Sequence, residues 1–144
     1  MKELIVMKRT VLKATPAAVW EALTNPEKTK EYFFNCEVHS DWQPGSSITF
    51  EGRIFLFKKI KMTGQILEIV PEKLLKYTLR NEDDDDSFSN ITDTLTYENG
   101  ETTLIITDDV GQGEGVEERY KKSVEGWDKV LKGLKELVEE ENQT

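Results

Sequence analysis

The chain reads as an α+β protein in which one long helix lies across a single antiparallel sheet. Two observations predict this. The first is the segment Gly115 to Glu140, GVEERYKKSVEGWDKVLKGLKELVEE. Its apolar residues Val116, Tyr120, Val124, Trp127, Val130, Leu131, Leu134, Leu137 and Val138 recur at spacings of three and four, the period of an amphipathic helix. Lys121, Lys122, Lys129, Lys132, Lys135 and Glu136 turn away from that stripe. At a rise of about 1.5 Å per residue the helix is roughly 35 Å long. The second is the succession of short β-branched and aromatic runs before it, joined by turn dipeptides too brief for parallel crossovers. Seven strands at about 4.8 Å spacing make a sheet nearly as wide as the helix is long.

The elements follow in order. Glu3 to Lys13 (ELIVMKRTVLK) predicts a first strand, with Leu4, Val6 and Leu12 competing against Ile5, Met7 and Val11 for the inner face. Thr15-Pro16 places a capping oxygen before a proline at the first helical position, and a short helix follows over Ala17 to Leu23. Asn25-Pro26 repeats the signal for a second helix over Glu27 to Phe34. Glu37 to Trp42 is the next strand and leads to the Pro44-Gly45 turn. Ile48 to Phe57, Lys59 to Val70 and Leu74 to Leu79 come next, the last two separated by Pro71-Glu72. Ile91 to Tyr97 and Thr102 to Thr107 flank Asn99-Gly100, a strong hairpin signal. Alternation of Ile91, Asp93, Leu95 and Tyr97 with Thr92, Thr94 and Thr96 predicts one wet face.

Composition narrows the class of job. At 144 residues the chain fits one domain, 1–144, with a sizeable core. A net charge of −9 argues against nucleic acid or an anionic membrane as partner. No apolar run reaches the length of a membrane span, and the first residues lack a signal-peptide core. Cys36 is the single cysteine, so no intrachain disulfide forms and the cytoplasm is the expected compartment. The surface charge and the lack of an exposed apolar stripe predict a monomer.

The residues at 15–27, TPAAVWEALTNPE, resemble the opening of START-like (Bet v 1-like) domains. SDWQPG at 40–45, GQILEIVPEKLLKYT at 64–78 and GWDKVLKGLK at 126–135 are similar to later signatures of one branch, the activator-of-Hsp90-ATPase homologues. The resemblance runs through nearly the whole chain in order. It implies a helix-grip fold, a curved sheet wrapped around its C-terminal helix with a hydrophobic cavity between them. It implies less about function, because the group includes lipid carriers, hormone receptors, polyketide cyclases and co-chaperone domains.

Candidate residues each carry a structural and a functional reading. Trp127 sits mid-stripe and serves as a core anchor, a pocket wall, or both. Ser123 falls inside the apolar stripe and needs a partner: its own helix, another group, or a wet cavity. Gly126 and Gly133 each cost about 1 kcal/mol against alanine in a helix, which close approach of a neighbour or room for a ligand would explain. Cys36 and His39 form a C-x-x-H pair that is too small for zinc and splits across the faces of a strand, so no metal site is predicted. No nucleophile motif or paired carboxylates are legible, and no catalytic residues or cofactor are predicted. Glu82 to Asp86 lacks the glycine and terminal glutamate of an EF-hand loop and reads as a solvated acidic turn. Glu139 to Glu141 meets the negative end of the helix dipole, which predicts fraying.

The expected function is binding of a small hydrophobic or aromatic molecule between sheet and long helix, because one helix cannot fill a strongly curved sheet. Phe33, Phe55, Ile66 and Leu95 are further hydrophobic candidates for that cavity. The site residues are expected to be Trp42, Phe50, Met62 and Tyr77 from the sheet side, with Tyr120, Ser123, Trp127 and Leu131 from the helix. The resemblance also implies a second reading, an interaction module for a chaperone, and a third, a polyketide-cyclase-type enzyme.

Overall fold

The structure, a computed structural model, describes residues 4–54, 58–84 and 87–142. The elements run β1 (Ile5–Leu12), α1 (Pro16–Thr24), α2 (Pro26–Tyr32), β2 (Cys36–Ser40), β3 (Ser47–Ile54), β4 (Lys58–Val70), β5 (Leu74–Asn81), β6 (Ser89–Glu98), β7 (Glu101–Asp109) and α3 (Val116–Asn142). The strands form one seven-stranded sheet in the order β1-β7-β6-β5-β4-β3-β2, each pair antiparallel. With α3 laid against the sheet, the architecture is an α+β helix-grip fold.

Local chemistry sets the boundaries. Thr15 Oγ1 accepts the Ala18 N–H at 3.2 Å and Asn25 Oδ1 accepts the Glu27 N–H at 2.9 Å, so both proline-started helices carry a side-chain cap. The β6–β7 turn is made by Asn99 (φ 53°) and Gly100 (φ 81°), the two left-handed residues that a tight hairpin needs. A register shift between Ile66 and Glu68 interrupts the β4–β5 pairing, a bulge of the kind that bends a strand.

In β1 the inner face goes to Val6 and Leu12, 2% and 0% exposed, whereas Ile5 and Met7 remain 50% and 68% exposed. Strands β6 and β7 send Ile91, Asp93 and Leu95 and Thr102, Leu104, Ile106 and Asp108 into the interior. Each strand therefore carries an aspartate in the buried phase of its alternation. The helix buries Trp127, Val130, Leu131, Leu134 and Val138.

The helix continues through the acidic stretch that was expected to fray. Glu139 accepts the Lys13 backbone N–H at 2.9 Å and pairs with Lys135 at 2.9 Å, while Glu141 pairs with Lys28 at 3.1 Å. The Lys13 bond foremost pulls the Glu139 carboxyl below its usual range. These donors offset the unfavourable placement of carboxylates at a helix C-terminus.

Candidate functional site

The connection after α2 divides the space under α3. Phe34 and Asn35 both adopt left-handed backbone, φ 49° and 60°. Phe33, just before them, turns into the interior at 6% exposure, and Phe34 stays on its rim at 37%. Phe33 then completes an aromatic row. Its ring meets Trp127 edge-on at 5.9 Å and stacks on Phe50 at 4.4 Å, and Phe50 in turn stacks on Tyr77 at 6.3 Å.

All four rings border a void of only about 20 Å³, together with Tyr32, Asp93, Ile106 and Leu134. Of the four, Phe33 and Trp127 also border a cavity of about 370 Å³ open to solvent. Phe33, Met62, Leu79, Ile91, Trp127 and Val130 give it apolar walls. Asp84, Phe88, Glu118, Arg119 and Lys122 also border it, with Phe88 left 43% exposed.

Asp108 lines this cavity and is 2% exposed. Its Oδ2 accepts three hydrogen bonds, from Ser123 Oγ at 2.7 Å, Trp127 Nε1 at 3.0 Å and Ser89 Oγ at 3.1 Å. Oδ1 is buried with no hydrogen-bond partner among the described residues. Burial pushes the carboxyl above its ordinary value, and the bonds from Trp127, Ser123 and Ser89 oppose that shift. Ser123 thus finds its partner across the interface rather than in its own helix.

Asp93 is the counterpart behind the row. Ile91 pairs with Asp108 and Asp93 with Ile106, so the two aspartates are diagonal neighbours on the inner face of adjacent strands. The sequence reading does not single out these two buried aspartates. Asp93 Oδ1 also has no partner among the described residues, and burial, then the charge of Asp108, pushes its carboxyl up to about 8. At neutral pH Asp93 is held mainly as the neutral acid.

The expected site residues separate into groups. Met62, Ser123 and Trp127 line the larger cavity. Phe50 and Tyr77 border the small void instead. Leu131 belongs to the core at 8% exposure, and Tyr120 is half-buried against that core outside the cavity lining. Trp42, with φ 57°, borders a separate open depression of about 450 Å³ beside His39, Ser40 and Asp41. Phe55 and the acidic residues Asp85 and Asp86 lie outside the described residues. Asp108, Ser89 and Phe88 were not anticipated. The available signal was the phase of β7, in which Asp108 continues the inward series of Thr102, Leu104 and Ile106.

Other chemistry is sparse. Cys36 is buried, with its thiol pushed up to about 11 chiefly by desolvation, while exposed His39 stands 3.7 Å from Glu37. Among the described residues no group of three or more His, Cys, Asp or Glu side chains could hold a metal ion. No helix there is long and apolar enough to cross a membrane.

Known structures share this architecture. A Chromobacterium violaceum protein is 26% identical, with a TM-score of 0.80 over 94% of this chain and 96% of that one. A Cytophaga hutchinsonii protein solved in solution is 32% identical, with a TM-score of 0.76 over 100% of both chains. The Aha1 dimer from Colwellia psychrerythraea shares the fold at 18% identity and a TM-score of 0.69, over 94% and 96% of the two chains. No curated protein matches in sequence. The family model for Activator of Hsp90 ATPase homolog 1-like proteins matches residues 13–139, nearly the full length. The chain belongs to that family.

Proposed function

We propose that this protein binds a small, largely apolar or aromatic molecule in the cavity between the first half of α3 and strands β4 to β7, as a carrier or sensor. One observation carries the reading: an apolar-walled space of about 370 Å³ is bordered by a buried, hydrogen-bonded carboxylate. A pocket with hydrophobic walls and one fixed polar group has the form of a small-molecule site. A buried carboxylate would otherwise be a costly way to fill a core. Trp127 and Ser123 serve both the fold and the site, since each holds Asp108 and lines the cavity.

The test is a two-dimensional amide NMR titration with lipids, flavonoids and other aromatic metabolites. Saturable shifts are expected in Ser87 to Ile91, Asp108 to Val110 and Ser123 to Val130. Trp42→Ala should leave affinity unchanged, because Trp42 borders a different depression. An absence of saturable shifts across all classes would transfer support to a chaperone-binding module. That second reading rests on the family's description and on the partly exposed Phe34 and Phe88 beside the cavity. Co-precipitation with a purified Hsp90-type chaperone tests it. The monomer expected from the charge is checked by sedimentation, the Colwellia relative being described as a dimer.

A further inference from the structure

The polar groups around the cavity are unevenly disposed. The hydroxyl protons of Ser89 and Ser123 and the indole N–H of Trp127 all point to Asp108 Oδ2. Ser87 Oγ donates to the Asp84 carbonyl at 2.8 Å. Arg119 directs its guanidinium to the carbonyls of Val110, Glu114 and Gln112 at 2.7, 2.9 and 3.2 Å. These donors are engaged by the protein itself, and the exposed Lys122 ammonium also borders the cavity. Asp108 Oδ1, the second oxygen of a residue that lines the cavity, is buried and lacks a partner among the described residues. A buried carboxylate oxygen left without a donor is costly, so a ligand that supplies one gains more than an ordinary contact.

We infer that the molecule bound here carries an O–H or N–H donor on a ring-sized apolar body, and that Asp108 Oδ1 receives that donor. The inference rests on the ligand-binding reading above. Phenols, alicyclic alcohols and aryl amines meet the requirement. Ethers and ketones present a lone pair to a lone pair. An ionised carboxylate likewise brings no proton to Oδ1, whatever it gains from Arg119 and Lys122, which border the cavity along with Asp84 and Glu118. The ligand class is therefore O–H and N–H donors.

The experiment is calorimetric titration with two matched probes, 2-naphthol and 2-methoxynaphthalene, which differ in whether the oxygen carries a proton. The wild-type protein should bind 2-naphthol about 10- to 100-fold more tightly, the range for a hydrogen bond to a charged group. The Trp127 indole N–H resonance should move with 2-naphthol more than with the ether, because its proton lies on the same carboxylate. In Asp108→Asn the amide oxygen can keep the three inward donors while an NH₂ group replaces Oδ1, so the preference should vanish or reverse. Equal wild-type affinities would overturn the inference and leave the cavity reading standing. Retained preference in a folded Asp108→Asn protein would also overturn it. If neither probe saturates, the cavity reading falls, and the inference with it. Should the variant fail to fold, the wild-type affinities and the indole resonance together decide.

Discussion

The two ends of the space beneath α3 solve the same problem in opposite ways. Each receives an aspartate from the inner face of the sheet, Asp93 from β6 at one end and Asp108 from β7 at the other. At the closed end, packing leaves about 20 Å³ and Asp93 is driven toward its neutral form. At the open end, a cavity of about 370 Å³ remains and Asp108 is held by Ser89, Ser123 and Trp127. The helix glycines follow the same division. A Cβ on Gly133 would lie 2.8 Å from Tyr32 Cβ, whereas one on Gly126 would meet the Phe34 ring at an ordinary 3.5 Å. Gly133 allows close packing, and Gly126 borders a space that packing does not fill. On the proposed reading, a buried carboxylate serves recognition where donors hold it and a cavity adjoins it.

The largest predicted effect comes from removing the side chain shared by both ends. Trp127→Ala should cost about 3–5 kcal/mol in urea unfolding, the range for deleting a buried aromatic. A loss below about 1.5 kcal/mol would show that the two ends are not joined through this residue.

Asp93→Asn sharpens the contrast between the carboxylates. The folded-state value of Asp93 is raised from 3.8 to about 8, so between those values the folded protein holds a proton that the unfolded chain has shed. Its stabilising contribution is full below about pH 4 and is lost as pH rises toward about 8. Relative to the variant, the wild type should lose stability steadily as pH rises through that window. Parallel stability curves for the two proteins would contradict the account of the closed end.

The glycines give a smaller pair of effects with opposite signs. Gly133→Ala should destabilise by about 1–3 kcal/mol through overpacking against Tyr32. Gly126→Ala should stabilise by about 0.5–1 kcal/mol through helix propensity. Thermal melts of both variants check the signs. Ser123→Ala, which removes one of the donors to Asp108 Oδ2, should cost about 1 kcal/mol and weaken 2-naphthol binding. Unchanged stability and affinity would remove Ser123 from the site.

The architecture was legible because its signals are local. The three-four spacing marks α3, Thr15-Pro16 and Asn25-Pro26 start the short helices, and Asn99-Gly100 closes the last hairpin. The site was only partly legible because cavity and core draw on the same residue types. Composition names Phe50, Tyr77 and Trp127 equally. Their separation depends on the left-handed turn at Phe34 and Asn35, beside which Phe33 packs between Phe50 and Trp127. Ser123 stood out because it interrupts an apolar stripe, yet its partner lies 15 residues earlier, across the helix–sheet interface. Asp108 was missed because the predicted strand stopped at Thr107, one residue short of the inward position that matters.

The most direct measurement follows the carboxyl carbon resonances of Asp93 and Asp108 by NMR at neutral pH while 2-naphthol is added. The account predicts a saturable shift at Asp108 and little change at Asp93, because only the first carboxylate borders the receptive cavity. Equal movement of both resonances, or movement of Asp93 alone, would contradict the division of the interior into a packed end and a binding end.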